Sequence, residues 1–248
     1  MASRWSTRAR AGPIKNTAPA SRSGEDRARP PSPRVRDVSR ISPTYRFAMA
    51  ACSPAVRGWG RLEVQGRDLL PADGPLLIAG NHDSYWDPVA IGIAGMPRRQ
   101  ICALAKRSLW KPGLGLILDG MGQIPIERGS GDREAMATAI ERLRDGACIG
   151  VFPEGTRSLG RELRARSGIG RLAAEVPEAE VVCVRVRGTV DLPKFPRSRP
   201  HVQVEFFRPA GGGLQQGEST TDFAARLLEE IRAGAPRVVA GRRPATAA

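Results

Sequence analysis

The sequence contains two histidines, and one of them sits where chemistry is plausible. His82 lies in Asn81-His82-Asp83-Ser84-Tyr85-Trp86-Asp87, directly after the apolar run Leu76-Leu77-Ile78-Ala79, with a carboxylate five positions on. On a continuous helix that separation would place Asp87 about 140° around the axis from His82. The residues resist such a helix: Pro88 pushes Asp87 out of the α region, and Asp-Pro suits an N-cap followed by the first helical position. A loop from His82 to Asp87 can therefore fold back until carboxylate meets imidazole, fixing the tautomer and raising the basicity of the far nitrogen. A base positioned in this way typically contributes about 10²–10⁴-fold in rate. Taken alone, the pair reads more simply as a loop histidine and a helix cap.

Other chemistries find less support. Ser84 lies two positions from His82, but no GxSxG elbow surrounds a serine and no cysteine neighbours a histidine, so a covalent acyl-enzyme is disfavoured. No glycine-rich loop precedes Lys-Ser/Thr, so nucleotide hydrolysis has no support either. The remaining route is direct removal of a proton from a substrate hydroxyl. Arg128 and Arg157 follow two further apolar runs, and guanidinium groups hold phosphate oxygens in a bidentate fork at any working pH. A base beside two such forks suits a substrate with a hydroxyl and a phosphate. Glu154 can bind a hydroxyl or hold an arginine fork; its plainer reading is a surface pair with Arg157, worth little.

These groups need a scaffold that brings loops together. Six short apolar runs read as strands: Leu76–Ala79, Gln100–Ala105, Gln123–Ile126, Ala147–Phe152, Val181–Val186 and Val202–Phe207. The clearest helix lies between the third and fourth, with Ser130 as cap, Asp132 and Glu134 near its positive end, and Met136, Ala139, Ile140 and Leu143 on one stripe. Two more helices are expected, over Gly168–Val176 and about Thr221–Ala233. Strands alternating with helices predict an α/β fold, a mostly parallel central sheet flanked by helices. In open sheets of this kind ligands bind beyond the carboxyl ends of the strands. If the strands are parallel, the clusters after the first, third and fourth share one rim.

Composition sets the boundaries. The 248 residues carry a formal charge of +14, and residues 1–45 supply ten Lys/Arg against three acids. That Ser/Pro/Arg-rich segment shows no amphipathic period and no apolar signal core, and is read as a disordered basic arm. It suits an anionic surface, lipid or nucleic acid, or is a solvated tail. The longest stretches without a charge, Phe47–Val56 and Pro88–Pro97, are ten residues each, half of what a spanning helix needs. Cys52, Cys102, Cys148 and Cys183 lie far apart with no CxxC pair, which disfavours a disulfide framework and a zinc site. The domain reading is an arm over 1–44, a short amphipathic membrane-proximal segment over 45–66, a catalytic domain over 67–235 and a frayed tail over 236–248.

Taken together, the Asn81-His82-(four residues)-Asp87 block, Gly122-Gln123-Ile124-Pro125-Ile126-Glu127-Arg128 and Phe152-Pro153-Glu154-Gly155-Thr156-Arg157-Ser158 resemble, in order and spacing, the glycerolipid acyltransferase family of 1-acylglycerol-3-phosphate (lysophosphatidic acid) acyltransferase type. The resemblance covers roughly residues 45–235. It implies His82 as the base that deprotonates a glycerol hydroxyl and Asp87 as the group that orients it. The hydroxyl attacks an acyl thioester of coenzyme A or acyl carrier protein, which enters as co-substrate; no bound cofactor or metal is implied. Arg128, Glu154 and Arg157 match positions that bind the glycerol phosphate, and Gly155 and Thr156 shape the turn. Arg166 stands where the family often carries lysine, Cys183 where it often carries proline. Asn81 and Phe152 read as packing residues. The family's N-terminal docking helices are reduced to Tyr45–Leu62, interrupted at Pro54, leaving arginines, Trp59 and Trp110 to meet an anionic membrane. The implied partners are a lysophospholipid, an acyl thioester and that membrane at its cytoplasmic face, with no specific nucleic acid. The same chemistry on glycerol-3-phosphate or a lyso-aminolipid, and a non-catalytic basic binding protein, are the alternatives.

Overall fold

The computed structural model describes residues 41–127, 132–197 and 199–238. Seven strands form one sheet: β1 (Glu63–Gln65), β2 (Leu76–Gly80), β3 (Ile101–Lys106), β4 (Ile124–Ile126), β5 (Cys148–Val151), β6 (Glu180–Arg187) and β7 (Gln203–Phe207), in the order β1-β7-β6-β2-β5-β3-β4. Every neighbouring pair is parallel except β6–β7. The carboxyl ends of β2, β3, β4, β5 and β6 thus share one rim, as the sequence reading requires. The six expected strands are present within a residue or so; β1, a three-residue edge strand, was not foreseen.

The sheet is covered on both faces because its central strands are apolar on both. Leu76, Ile78, Val182 and Val184 pack under α1 (Pro43–Ser53) and α2 (Asp87–Gly95), while Leu77, Ala79, Ile149, Val181 and Cys183 pack under α4 (Arg133–Arg144), α5 (Gly168–Glu175) and α6 (Thr220–Gly234). The alternation is the period-two geometry of a strand. α3 (Leu114–Gly120) lies at the margin with no buried residue.

Three local readings change. Ser130 lies outside the described residues, and the N-cap of α4 is Asp132, whose side chain accepts from the Ala135 amide at 3.0 Å. Pro43 and Thr44, assigned to the arm, are the first turn of α1, capped by Ser42 through the Tyr45 amide at 3.1 Å. The segment is also not broken at Pro54. The helix passes into a π-helical turn over Pro54–Trp59, closed by the Gly60 amide on the Ala55 carbonyl at 2.9 Å. Of Phe47, Met49, Ala50 and Val56, the apolar residues expected to form the amphipathic patch of that segment, Met49 and Val56 are buried in the core, while Phe47 and Ala50 are exposed, Phe47 at 73%.

Cys102, Cys148 and Cys183 are buried, Cys52 only partly. Burial pushes the Cys183 thiol up from 9.0 to about 12 and moves Cys148 upward as well. A thiol kept neutral by folding stabilises the fold fully below its unfolded pKa and loses that contribution as pH rises towards the folded value. We therefore expect urea-unfolding stability to fall between about pH 9 and 12. Cys183→Ala should flatten that slope, and thiol reagents at neutral pH should label Cys52 well ahead of the other three.

Candidate active site

The loop after β2 folds back as its residues require. His82 Nδ1 lies 3.1 Å from Asp87 Oδ2, with His82 6% exposed and Asp87 fully buried. Asp87 is the first residue of α2 and does not cap it in the expected sense. Its Oδ2 accepts the upstream amides of Asp83 at 2.6 Å and Ser84 at 2.7 Å, and its Oδ1 accepts the Thr189 hydroxyl at 2.5 Å. Two backbone N–H groups can only donate, so Oδ2 is an acceptor and Nδ1 must carry the ring proton. Nε2 is left with the lone pair. The Phe152 ring stacks on the imidazole, centroids 4.3 Å apart and planes 17° apart. Ser84, considered as a nucleophile, donates its hydroxyl to the Thr189 carbonyl at 3.2 Å.

Behind this loop lies a buried charge cluster that sequence reasoning missed. Arg232, near the end of α6, donates to Asp83 Oδ2 at 2.8 Å and Oδ1 at 3.0 Å, and to Glu154 Oε1 at 2.7 Å and Oε2 at 2.6 Å. Glu154 Oε2 also accepts the His82 backbone amide at 3.0 Å. Burial by itself would lower the Arg232 pKa, but the hydrogen bonds to Asp83 and Glu154 outweigh it and the net direction is upward. Ser158 donates its hydroxyl to Asp83, and its amide donates to the His82 carbonyl at 2.7 Å. Asn81 anchors the loop on β6, exchanging two 2.8 Å bonds with the Val186 backbone.

This corrects the reading of Glu154. Its side chain is 0% exposed and both oxygens are occupied by a guanidinium and an amide, so none is left for a glycerol hydroxyl or for Arg157. It holds an arginine fork, but that fork comes from α6. The signal was an arginine beside the apolar stripe of Phe223, Leu227, Leu228 and Ile231, a position that reads as the helix's C-terminal cation.

In front of His82 opens a cavity of about 500 Å³. Its mouth carries His82, Thr156, Arg157 and Lys106, and its interior is apolar, reaching Tyr45 and Met49 of α1 and Leu118 near the end of α3. The sheet floor stays low because two strand positions lack side chains: a Cβ on Gly80 would lie 2.9 Å from Val184, and one on Gly150 2.9 Å from Ile101. Arg157 stacks 3.6 Å over the Tyr85 ring, itself 70% exposed. Gly155 turns the loop at φ +69°, with the exposed Arg166 side chain laid against it. Arg128 lies outside the described residues; the strand before it, β4, is three strands from β2, roughly 14 Å at about 4.8 Å per strand. Trp110 donates to Asp119 at 2.7 Å, and Trp59 meets Phe195 edge-on at 4.7 Å.

A family model described as Acyltransferase matches residues 61–193. A 1-acyl-sn-glycerol-3-phosphate acyltransferase of Bacillus subtilis is 30% identical over 115 residues, 46% of this chain and 57% of that protein. A lyso-ornithine lipid O-acyltransferase of Pseudomonas aeruginosa is 33% identical over 108 residues, 43% of this chain and 40% of that protein. The chain thus spans less than two thirds of these relatives. The crystal structure of the 1-acyl-sn-glycerophosphate (LPA) acyltransferase of Thermotoga maritima shares the fold, with a TM-score of 0.59 at 21% identity, covering 77% of this chain and 79% of that one.

Removing Arg232 leaves two buried carboxylates without their cation. Arg232→Met is expected to cost about 3–5 kcal/mol of unfolding free energy, measured by urea titration. Arg185→Met, at a half-buried pair with Glu205, should cost far less.

Proposed function

The chain belongs to the Acyltransferase family, and from that membership we propose that it is an O-acyltransferase moving a fatty acyl group from an acyl thioester to the hydroxyl of a lysophospholipid, with 1-acylglycerol-3-phosphate as acceptor and phosphatidic acid as product. The observation that carries the reading is a histidine with one nitrogen committed to a buried carboxylate, set at the junction of an apolar cavity and a cationic mouth. An acceptor with an anionic head and a long apolar chain, or a donor with a fatty chain, has both surroundings it needs there.

Nε2 of His82 removes the acceptor hydroxyl proton while Asp87 stabilises the charge the ring acquires. The alkoxide oxygen bonds to the thioester carbonyl carbon, the carbon–sulfur bond breaks, and the departing thiolate takes the proton back from the imidazolium. Arg157 receives the phosphate, already oriented by Tyr85; Arg166, laid against Gly155, serves the same anion, and Arg128 is assigned to it by the family motif alone. Thr156 and Gly155 shape this turn, while Glu154 acts through the backbone of His82. The donor is an acyl thioester of coenzyme A or of acyl carrier protein.

The substrate is met at the cytoplasmic face of a membrane, with the protein bound peripherally. Among the described residues no helix is long and apolar enough to cross a bilayer. Phe47 on α1 and Leu114, Leu116 and Ile117 on α3 are exposed, and the two helices are joined where Ser42 before α1 bonds the Gly120 carbonyl of α3 at 2.8 Å. Exposed apolar side chains with Arg46 and Lys111 beside them suit an anionic lipid surface. A lyso-aminolipid acceptor is the second reading, supported by the likeness to the lyso-ornithine lipid enzyme.

The test is a panel of lysophosphatidic acid, lyso-ornithine lipid and glycerol-3-phosphate against acyl-CoA and acyl carrier protein, reading thiol release. We expect acceptor-dependent release, greatest with lysophosphatidic acid, that falls by about 10²–10⁴-fold in His82→Ala with the fold retained. Arg157→Ala should raise KM for phosphate-bearing acceptors and leave a zwitterionic acceptor less affected. Release that ignores His82→Ala, or needs no acceptor, would rule the reading out.

A further inference from the structure

The carboxylate of Asp87 is held from two sides, and only one of them belongs to its own loop. Oδ2 is fixed by the amides of Asp83 and Ser84 and meets His82. Oδ1 accepts the hydroxyl of Thr189, 102 residues away and 2% exposed. Thr189 opens the 3-10 turn Thr189–Lys194 that follows β6. Its place is set by Gly188, at φ +80°, where a Cβ would lie 2.0 Å from the His201 carbonyl oxygen; no other residue type fits without moving the backbone. Thr189 returns to the loop a second time, its carbonyl accepting the Ser84 hydroxyl at 3.2 Å.

From this we infer that Thr189 is a positioning residue for the His82–Asp87 pair: its hydroxyl locks the rotation of the Asp87 carboxylate so that Oδ2 stays on Nδ1 and the lone pair stays on Nε2. The torsion that turns a carboxylate is broad and roughly two-fold. The amides of Asp83 and Ser84 anchor one oxygen, and the Thr189 hydroxyl anchors the other, so the plane is pinned at both ends. Valine has the shape of threonine and lacks the donor, so the substitution isolates the hydrogen bond. The inference rests on the acyl-transfer reading for its functional consequence but not for its structural content, and the test separates the two.

Full-length chain labelled with ¹⁵N-histidine gives two imidazoles, His82 being assigned by loss of its signals in His82→Gln. With the ring neutral, the parent is expected to show the Nδ1–H tautomer at His82. Thr189→Val should shift it towards the Nε2–H form, and Thr189→Ser should restore the parent pattern. In the thiol-release assay Thr189→Val should lower kcat at least about tenfold, a part of the ~10²–10⁴ a positioned base supplies, with KM for both substrates within about twofold. Thr189→Ser should stay within about threefold of the parent. If Thr189→Val does not fold, Thr189→Ala carries the same expectations. His82 shifts unchanged in the hydroxyl-free variant, or a serine variant as impaired as the valine one, overturn the inference. Activity indifferent to His82→Ala overturns the acyl-transfer reading instead, and the tautomer measurement still decides the role of Thr189.

Discussion

The arrangement depends on one guanidinium. Arg232 is the charge that allows Asp83 and Glu154 to be buried side by side, and each of those carboxylates belongs to a different loop on the rim. Asp83 follows His82 directly; Glu154 accepts the His82 amide and precedes Thr156 and Arg157. Without the cation the two loops would repel one another in a poorly screened interior, so a residue that never meets the cavity sets the spacing between the base and the anion-binding side chain. Buried ion clusters contribute little net stability when they are complete. Here the cluster is better understood as a geometric device.

The sheet supplies the other half of the positioning. Parallel strands end on the same edge, so β2 and β5, adjacent in the order, deliver His82 and the Glu154–Arg157 turn side by side. Gly80 and Gly150 then keep the face beneath α1 and α2 open next to the imidazole. Larger residues at those two positions would fill the space from the sheet upward, and the histidine would face packed hydrocarbon.

Much of this was legible beforehand, and the omissions have physical causes. The meeting of Asp87 with His82 is as expected, although Asp87 opens α2 instead of being held out of the α region by Pro88, and the shared rim followed from apolar runs separated by helices. Glu154 was assigned to substrate because its true partner lies 78 residues away on α6, and no local spacing encodes that contact. Thr189 was passed over for the same reason: a single threonine after a strand carries no pattern. The start of α2 was foreseen in the Asp-Pro pair but not its extent, because Pro88–Gly95 is apolar on every side, which removes the periodic signal of a half-buried helix, and seven of its nine residues are indeed buried. α3 escaped for the opposite reason, as an apolar helix that leaves its residues outside the core.

The location of Arg232 on the last helix has a consequence for how the molecule comes into being. Domains are made from the amino end and fold as their parts emerge from the ribosome. Until α6 has left the exit tunnel, His82, Asp83 and Glu154 exist in a nascent chain whose carboxylates lack their counter-ion, and the rim cannot close around the imidazole. Translation arrested short of residue 232 would therefore yield polypeptide with every motif in place and the charge cluster unassembled.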